Sequence, residues 1–186
     1  MSDRNTLIRS LHDLGLAAWF GGSLMGAVGV NGAADSITDP ERRTAVGTGV
    51  WRRWAPVSAA AIGVHAVGGI GLILANRGRV IGQRGVAANT IVKAALTGIA
   101  ATSTAYTVWQ IRAQAEAGPF AADGALNSGP DTPAAGATAA QHLRIAQWIT
   151  PITTAALVVL AAQQGEQQRA GQVLTGVLRR ARTALT

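Results

Sequence analysis

Three histidines, His12, His65 and His142, are the only side chains of this sequence with the makings of ligand or acid–base chemistry close to its apolar runs. There is no cysteine, which removes disulfide frameworks, thiolate zinc sites, iron–sulfur clusters and cysteine nucleophiles. Neither a P-loop nor a GxSxG, HExxH or GxGxxG motif occurs, and every acid lies outside the long uncharged runs. Hydrolase, nucleotide-binding and metal readings therefore lack support. The chain is expected to be non-enzymatic and to carry no cofactor.

The elements that must position these histidines follow from charge. The 186 residues include only 16 Lys+Arg and 9 Asp+Glu, so charged residues make up 13% of the chain, against about 25% in a soluble domain. Four runs carry no formal charge: 21 residues between Asp13 and Asp35, 23 between Arg53 and Arg77, 18 between Lys93 and Arg112, and 21 between Arg144 and Glu166. At 1.5 Å per residue, about 20 apolar residues cross a hydrocarbon core of about 30 Å. The expectation is an all-α integral membrane bundle of four transmembrane helices, at 14–34, 54–76, 91–111 and 145–163, within a domain 1–164. A buried helix pair of a soluble protein is the alternative for the two Ala- and Thr-rich later runs. The first run exceeds the usual signal-peptide core of about 7–15 residues, so it is expected to be retained as a span.

Charge position also sets orientation. With the N-terminus inside, ten basic residues and a net +7 fall on the inner side, against six basic residues and a net charge of zero outside. Trp51, Trp54, Trp109 and Trp148 then all fall at the outer interface, with Trp19 left as a packing residue inside the first span. The expected location is the bacterial plasma (inner) membrane, multi-pass, with both termini cytoplasmic. The net charge of +7 points to that inner face and not to nucleic acid. The Arg, Ala and Gly bias has the character of a high-GC actinobacterial protein.

The connections differ in kind. Residues 35–53 are expected as an outer loop in which Asp39 and Pro40 start a short interfacial helix. Residues 77–90 read as a basic inner loop, and 113–139, dominated by Ala, Gly and Pro, as an irregular outer loop. In the tail 165–186, apolar residues recur at helical spacing beside Arg169, Arg179, Arg180 and Arg182. That pattern suits a C-terminal amphipathic helix on anionic lipid headgroups, or one docked on a partner protein.

Spanning helices associate through close backbone packing. Gly22 and Gly26 form a GxxxG pair, Gly63 follows Ala59, and Gly98 follows Ala94 at the same interval. These faces serve the bundle or partner subunits, and their number favours partners.

Counted from the span ends, His12 lies at the inner interface, His65 near mid-membrane and His142 at the outer interface, about 15 Å apart in depth. With Zn–N bonds of about 2 Å, one metal cannot use all three. Bis-histidine haem fails likewise, because no second histidine is expected at the depth of His65. His65 is then either a neutral residue satisfied by Ser103, Thr104, Thr153, Thr154 or Ser23, or a proton-relay or ligand-contacting group in a cavity. Pro151 can free a backbone carbonyl at similar depth. His12 with Asp13 and Arg9, and His142 with Arg144, read as interfacial anchors.

The stretch LHDLGLAAWFGGSLMG, from Leu11 to Gly26, resembles the first helix of small bacterial membrane proteins of the copper-resistance membrane-domain group, in which an LHxxGxxxWxGG pattern recurs. The resemblance implies a four-helix membrane domain with His12 as the matching position, and copper handling as a metal role for His12. Two function classes remain: an accessory or assembly subunit of a larger inner-membrane complex, or a small transporter or redox-linked (haem, quinone or copper) protein using His65.

Overall fold

The computed structural model describes residues 5–116 and 134–167, and every regular element among them is helical. Helix α1 (Thr6–Met25) passes through a π-helical turn (Gly26–Val30) into α2 (Asn31–Asp35). Then come α3 (Pro40–Ala75), the short α4 (Arg77–Gly82), α5 (Arg84–Glu116) and α6 (Ala134–Gln167). Four stretches are long and apolar enough to cross a membrane: Thr6–Asp35, Ala45–Ala75, Gly85–Ala113 and Gly136–Gln164. The four-helix expectation is met, and the chain is compatible with a multi-pass membrane protein.

The helices outrun the uncharged runs at both ends. Pro40 does open a helix, with Asp39 accepting from the Arg42 backbone N–H at 3.3 Å as its cap. That helix continues unbroken for 36 residues to Ala75 and carries Pro56 in its interior, so the connection expected over 35–53 is cut to 36–39. The basic connection expected at 77–90 is also shorter, since α5 already begins at Arg84 after Gln83. Residues 113–116 and 134–139, expected to be irregular, belong to α5 and α6. A charge marks where a residue leaves hydrocarbon, whereas a helix ends only where its hydrogen bonds or dihedrals fail. Residues 117–133 and the tail from 168, with Arg169, Arg179, Arg180 and Arg182, lie outside the described residues.

Two antiparallel hairpins form the bundle, α1–α3 and α5–α6. Glycines make the first. Gly26 lies under the Trp51 ring and Gly22 under Trp54, while Gly15 meets the backbone of Ala61 and His65 and Gly68 that of His12. Trp51 and Trp54, expected at the outer interface, are therefore half-buried packing residues of this hairpin. In the second hairpin Ser103 donates to the Ala146 carbonyl at 3.3 Å. Near the hairpin-loop ends Asn31 donates to Gln147, joining α2 to α6.

Inside and outside are chemically inverted relative to a soluble bundle. Val67, Ile70, Leu74, Ile99, Ile152 and Val159 face outward, while Ser58, His65, Ser103, Thr107, Gln110, Thr150 and Thr154 are buried. Lipid solvates large aliphatic side chains as well as a core does, so close packing falls to small residues and the polar ones turn inward. Leu16, Ile111, Leu143 and Leu157 are buried beside them, as is Trp19, a large ring only 1% exposed among Ala61 and Ala100.

Candidate functional site

The site is built from one short pattern used twice. His-x-x-Gly occurs at His12–Gly15 on α1 and at His65–Gly68 on α3. The two helices run antiparallel, so each glycine lies against the other motif's histidine. A Cβ on Gly15 would stand 2.6 Å from the His65 backbone nitrogen, and one on Gly68 would stand 2.5 Å from that of His12. The missing side chains let the backbones close, and the closure brings the imidazoles face to face.

The two rings stack with centroids 4.0 Å apart and planes 18° from parallel. His12 Nδ1 bonds to the His65 carbonyl at 2.9 Å, and His65 Nδ1 bonds to the His12 carbonyl at 3.0 Å. A carbonyl can only accept, so each Nδ1 carries its proton and donates; this assignment of the tautomer follows from the acceptors. Each Nε2 is then left with a lone pair. Thr97 of α5 places its hydroxyl 3.5 Å from His65 Nε2, at the limit of hydrogen bonding, and the Trp19 ring meets His65 edge-on at 6.0 Å.

Charged groups gather on the same end of the bundle. Lys93 of α5 donates to Gln164 of α6, and the Asp13 carboxylate acts electrostatically on both Lys93 and His65. At the opposite end a second cluster ties α5 to α6. Tyr106 Oη lies 2.7 Å from His142 Nδ1, and the Gln110 amide donates to Tyr106 Oη at 2.7 Å. His142 is thus held by Tyr106 and Gln110 in addition to any headgroup role beside Arg144.

Several expectations change. His12 and His65 share one level and one contact, because α1 is already helical at His12 and the Gly15 and Gly68 backbone contacts set its register against α3. Depth therefore no longer separates them. The hydroxyls expected on His65 are engaged elsewhere. Thr104 accepts from Trp19 Nε1 at 3.0 Å and lies 3.3 Å from Thr150, Thr153 donates to the Ile149 carbonyl, Thr154 to the Thr150 carbonyl, and Ser23 to the Phe20 carbonyl. Thr97, which sequence reasoning passed over, takes their place.

The stacked arrangement does not fit axial haem ligation, in which two imidazole nitrogens point at one iron from opposite sides. Among the described residues no group of three or more His, Asp or Glu side chains could hold a metal ion. The packing glycines divide as well. Gly22 and Gly26 are covered by tryptophans, whereas Gly63 and Gly98 have nothing within 4 Å of an added Cβ and face out of the bundle.

Comparison of the chain with protein-family models, with curated proteins and with solved structures returned no match, so the resemblance of Leu11–Gly26 to the copper-resistance membrane-domain group rests on those residues alone.

Proposed function

We propose that this chain is a non-enzymatic integral membrane accessory or assembly subunit of a larger complex, seated in a bacterial plasma membrane with both termini cytoplasmic. The observation that carries the reading is the outward placement of Gly63 and Gly98, mid-span glycines with open space around them, while Gly15, Gly22, Gly26 and Gly68 serve the internal contacts. Only 6% of the most apolar stretch of α5 is buried, leaving the face away from α6 open to neighbouring helices. The basic segments at Arg77, Arg79, Lys93 and Arg169–Arg182 supply a second partner or lipid surface. Purification in mild detergent with quantitative mass spectrometry tests it. Stoichiometric partner subunits are expected, and Gly63→Leu or Gly98→Leu should deplete them by more than half while the bundle still elutes as a folded species. A protein that purifies alone from native membranes overturns the reading.

A second reading, a small transporter or redox-linked protein, is favoured by the His12–His65 stack, since paired ionisable residues within spanning helices are costly and are functional by default.

A further inference from the structure

We propose that the interior of the bundle carries protons between its two ends, with the His12–His65 pair as the proton-binding station and Trp19 as the barrier above it. This rests on the second reading and names the cargo.

Helix α5 supplies the file. Lys93, Thr97, Ser103, Thr104, Thr107 and Gln110 occupy one broad face of it, spaced by a turn or two. Each meets the interior: Lys93 bonds to Gln164, Thr97 approaches His65, Ser103 reaches the Ala146 carbonyl, Thr104 meets Trp19 and Thr150, and Gln110 meets Tyr106. From Lys93 to Gln110 is 17 residues, about 26 Å of rise, close to the thickness of a hydrocarbon core. The opposite face of α5 carries Ile91 and Trp109, both exposed to where lipid would lie. A polar row of this length inside four spanning helices is costly unless something polar travels along it.

Two further buried groups point the same way. Thr107 Oγ1 and Trp54 Nε1 have no hydrogen-bond partner, although Thr107 is only 8% exposed. Buried polar atoms are nearly always satisfied, and a water file past Thr107 would satisfy its hydroxyl.

The cargo is small and moves along hydrogen bonds. Glycine-mediated backbone contact holds the two histidines against each other, and among the described residues no group of three or more metal-ligating side chains accompanies them. Imidazole is the titratable group of the file's centre, and hydroxyls and water pass protons because they both donate and accept. The balance is simple. One proton adds to the His65 Nε2 lone pair from water at the Asp13 and Lys93 end, giving an imidazolium with both nitrogens protonated. The same proton then leaves Nε2 toward Thr97, and the Nδ1–H bond to the His12 carbonyl is never broken. The charged groups around the pair are Arg9 and Asp13 on α1 and Lys93 on α5, while α6 contributes the uncharged Gln164.

Trp19 interrupts the file. It packs with Ala61 and Ala100 between Thr97 and Thr104, and its indole N–H can donate to Thr104 but cannot accept. A proton therefore crosses only when the ring moves.

The test is the full chain reconstituted in liposomes with a trapped pH dye, driven by a potassium gradient and valinomycin. Proton flux several-fold above protein-free vesicles is expected, raised several-fold further by Trp19→Ala and returned to background by His65→Gln. Thr107→Val, which keeps the volume and removes the hydroxyl, should lower flux several-fold while elution and helical content stay unchanged. Background flux in both the native protein and Trp19→Ala overturns the proposal, as does native flux in a folded His65→Gln protein. Absorption spectra and metal analysis of the same preparation separate the two levels of the argument: a bound haem, quinone or metal with background flux overturns proton transport and leaves a redox-linked role standing.

Discussion

Gly15 of α1 and His65 of α3 approach so closely that a Cβ on the glycine would stand 2.6 Å from the histidine backbone nitrogen. The reciprocal contact, Gly68 on His12, makes the pair of motifs a two-sided clasp whose stacked imidazoles are a consequence of backbone proximity.

Gly15→Ala and Gly68→Ala should each destabilise the bundle by about 1–3 kcal/mol, because the obstructing atoms are backbone and cannot rotate away. Gly63→Ala, with open space around it, should stay within about 0.5 kcal/mol of the native protein. Unfolding in SDS titration, followed by loss of helical signal, distinguishes them; equal effects at all three positions contradict the clasp.

Trp19→Phe keeps most of the ring and removes the Nε1 donor to Thr104. Thr104 retains the Ala100 carbonyl and Thr150, so the lost hydrogen bond should cost about 0.6–1.5 kcal/mol, and the smaller ring at a site only 1% exposed should add a packing loss of about 1 kcal/mol. A thermal-shift series with Thr104→Val should show non-additivity, since both substitutions remove the same bond.

The absence of cysteine makes the helix arrangement easy to probe. Asn31→Cys combined with Gln147→Cys should cross-link through a short thiol-reactive bridge, because these side chains are bonded across α2 and α6. Asn31→Cys with Gly98→Cys, whose second position faces outward, should not.

The proposed orientation has its own measurement. Ser36 and Gln83 are exposed in connections at opposite ends of the bundle. In intact cells a membrane-impermeant thiol reagent should label Ser36→Cys and leave Gln83→Cys unlabelled until the membrane is opened; the reverse pattern places the termini outside.

Much of the architecture was legible because it depends on local quantities. Each uncharged run can be counted along the chain, and a hydrocarbon layer imposes one length on all of them. The helix start at Pro40 was legible for the same reason, since Asp39 caps its own neighbours. The 36-residue continuation of α3 was not, because an arginine-bearing stretch such as Arg42–Arg53 ends a span without ending a helix.

The sequence by itself determined four helices long and apolar enough to cross a membrane, the close packing at Gly22 and Gly26, and His65 as a polar group needing a partner. Which partner it finds was decided by tertiary structure. Depth counted from span ends assumes that every helix is centred on its own apolar run, and it separated His12 from His65 by half a membrane. The hairpin is set instead by where backbones can touch, and Gly15 and Gly68 allow that only in the register that stacks the two rings. Register between two helices belongs to neither segment alone, and so it emerged only when both surfaces were brought together.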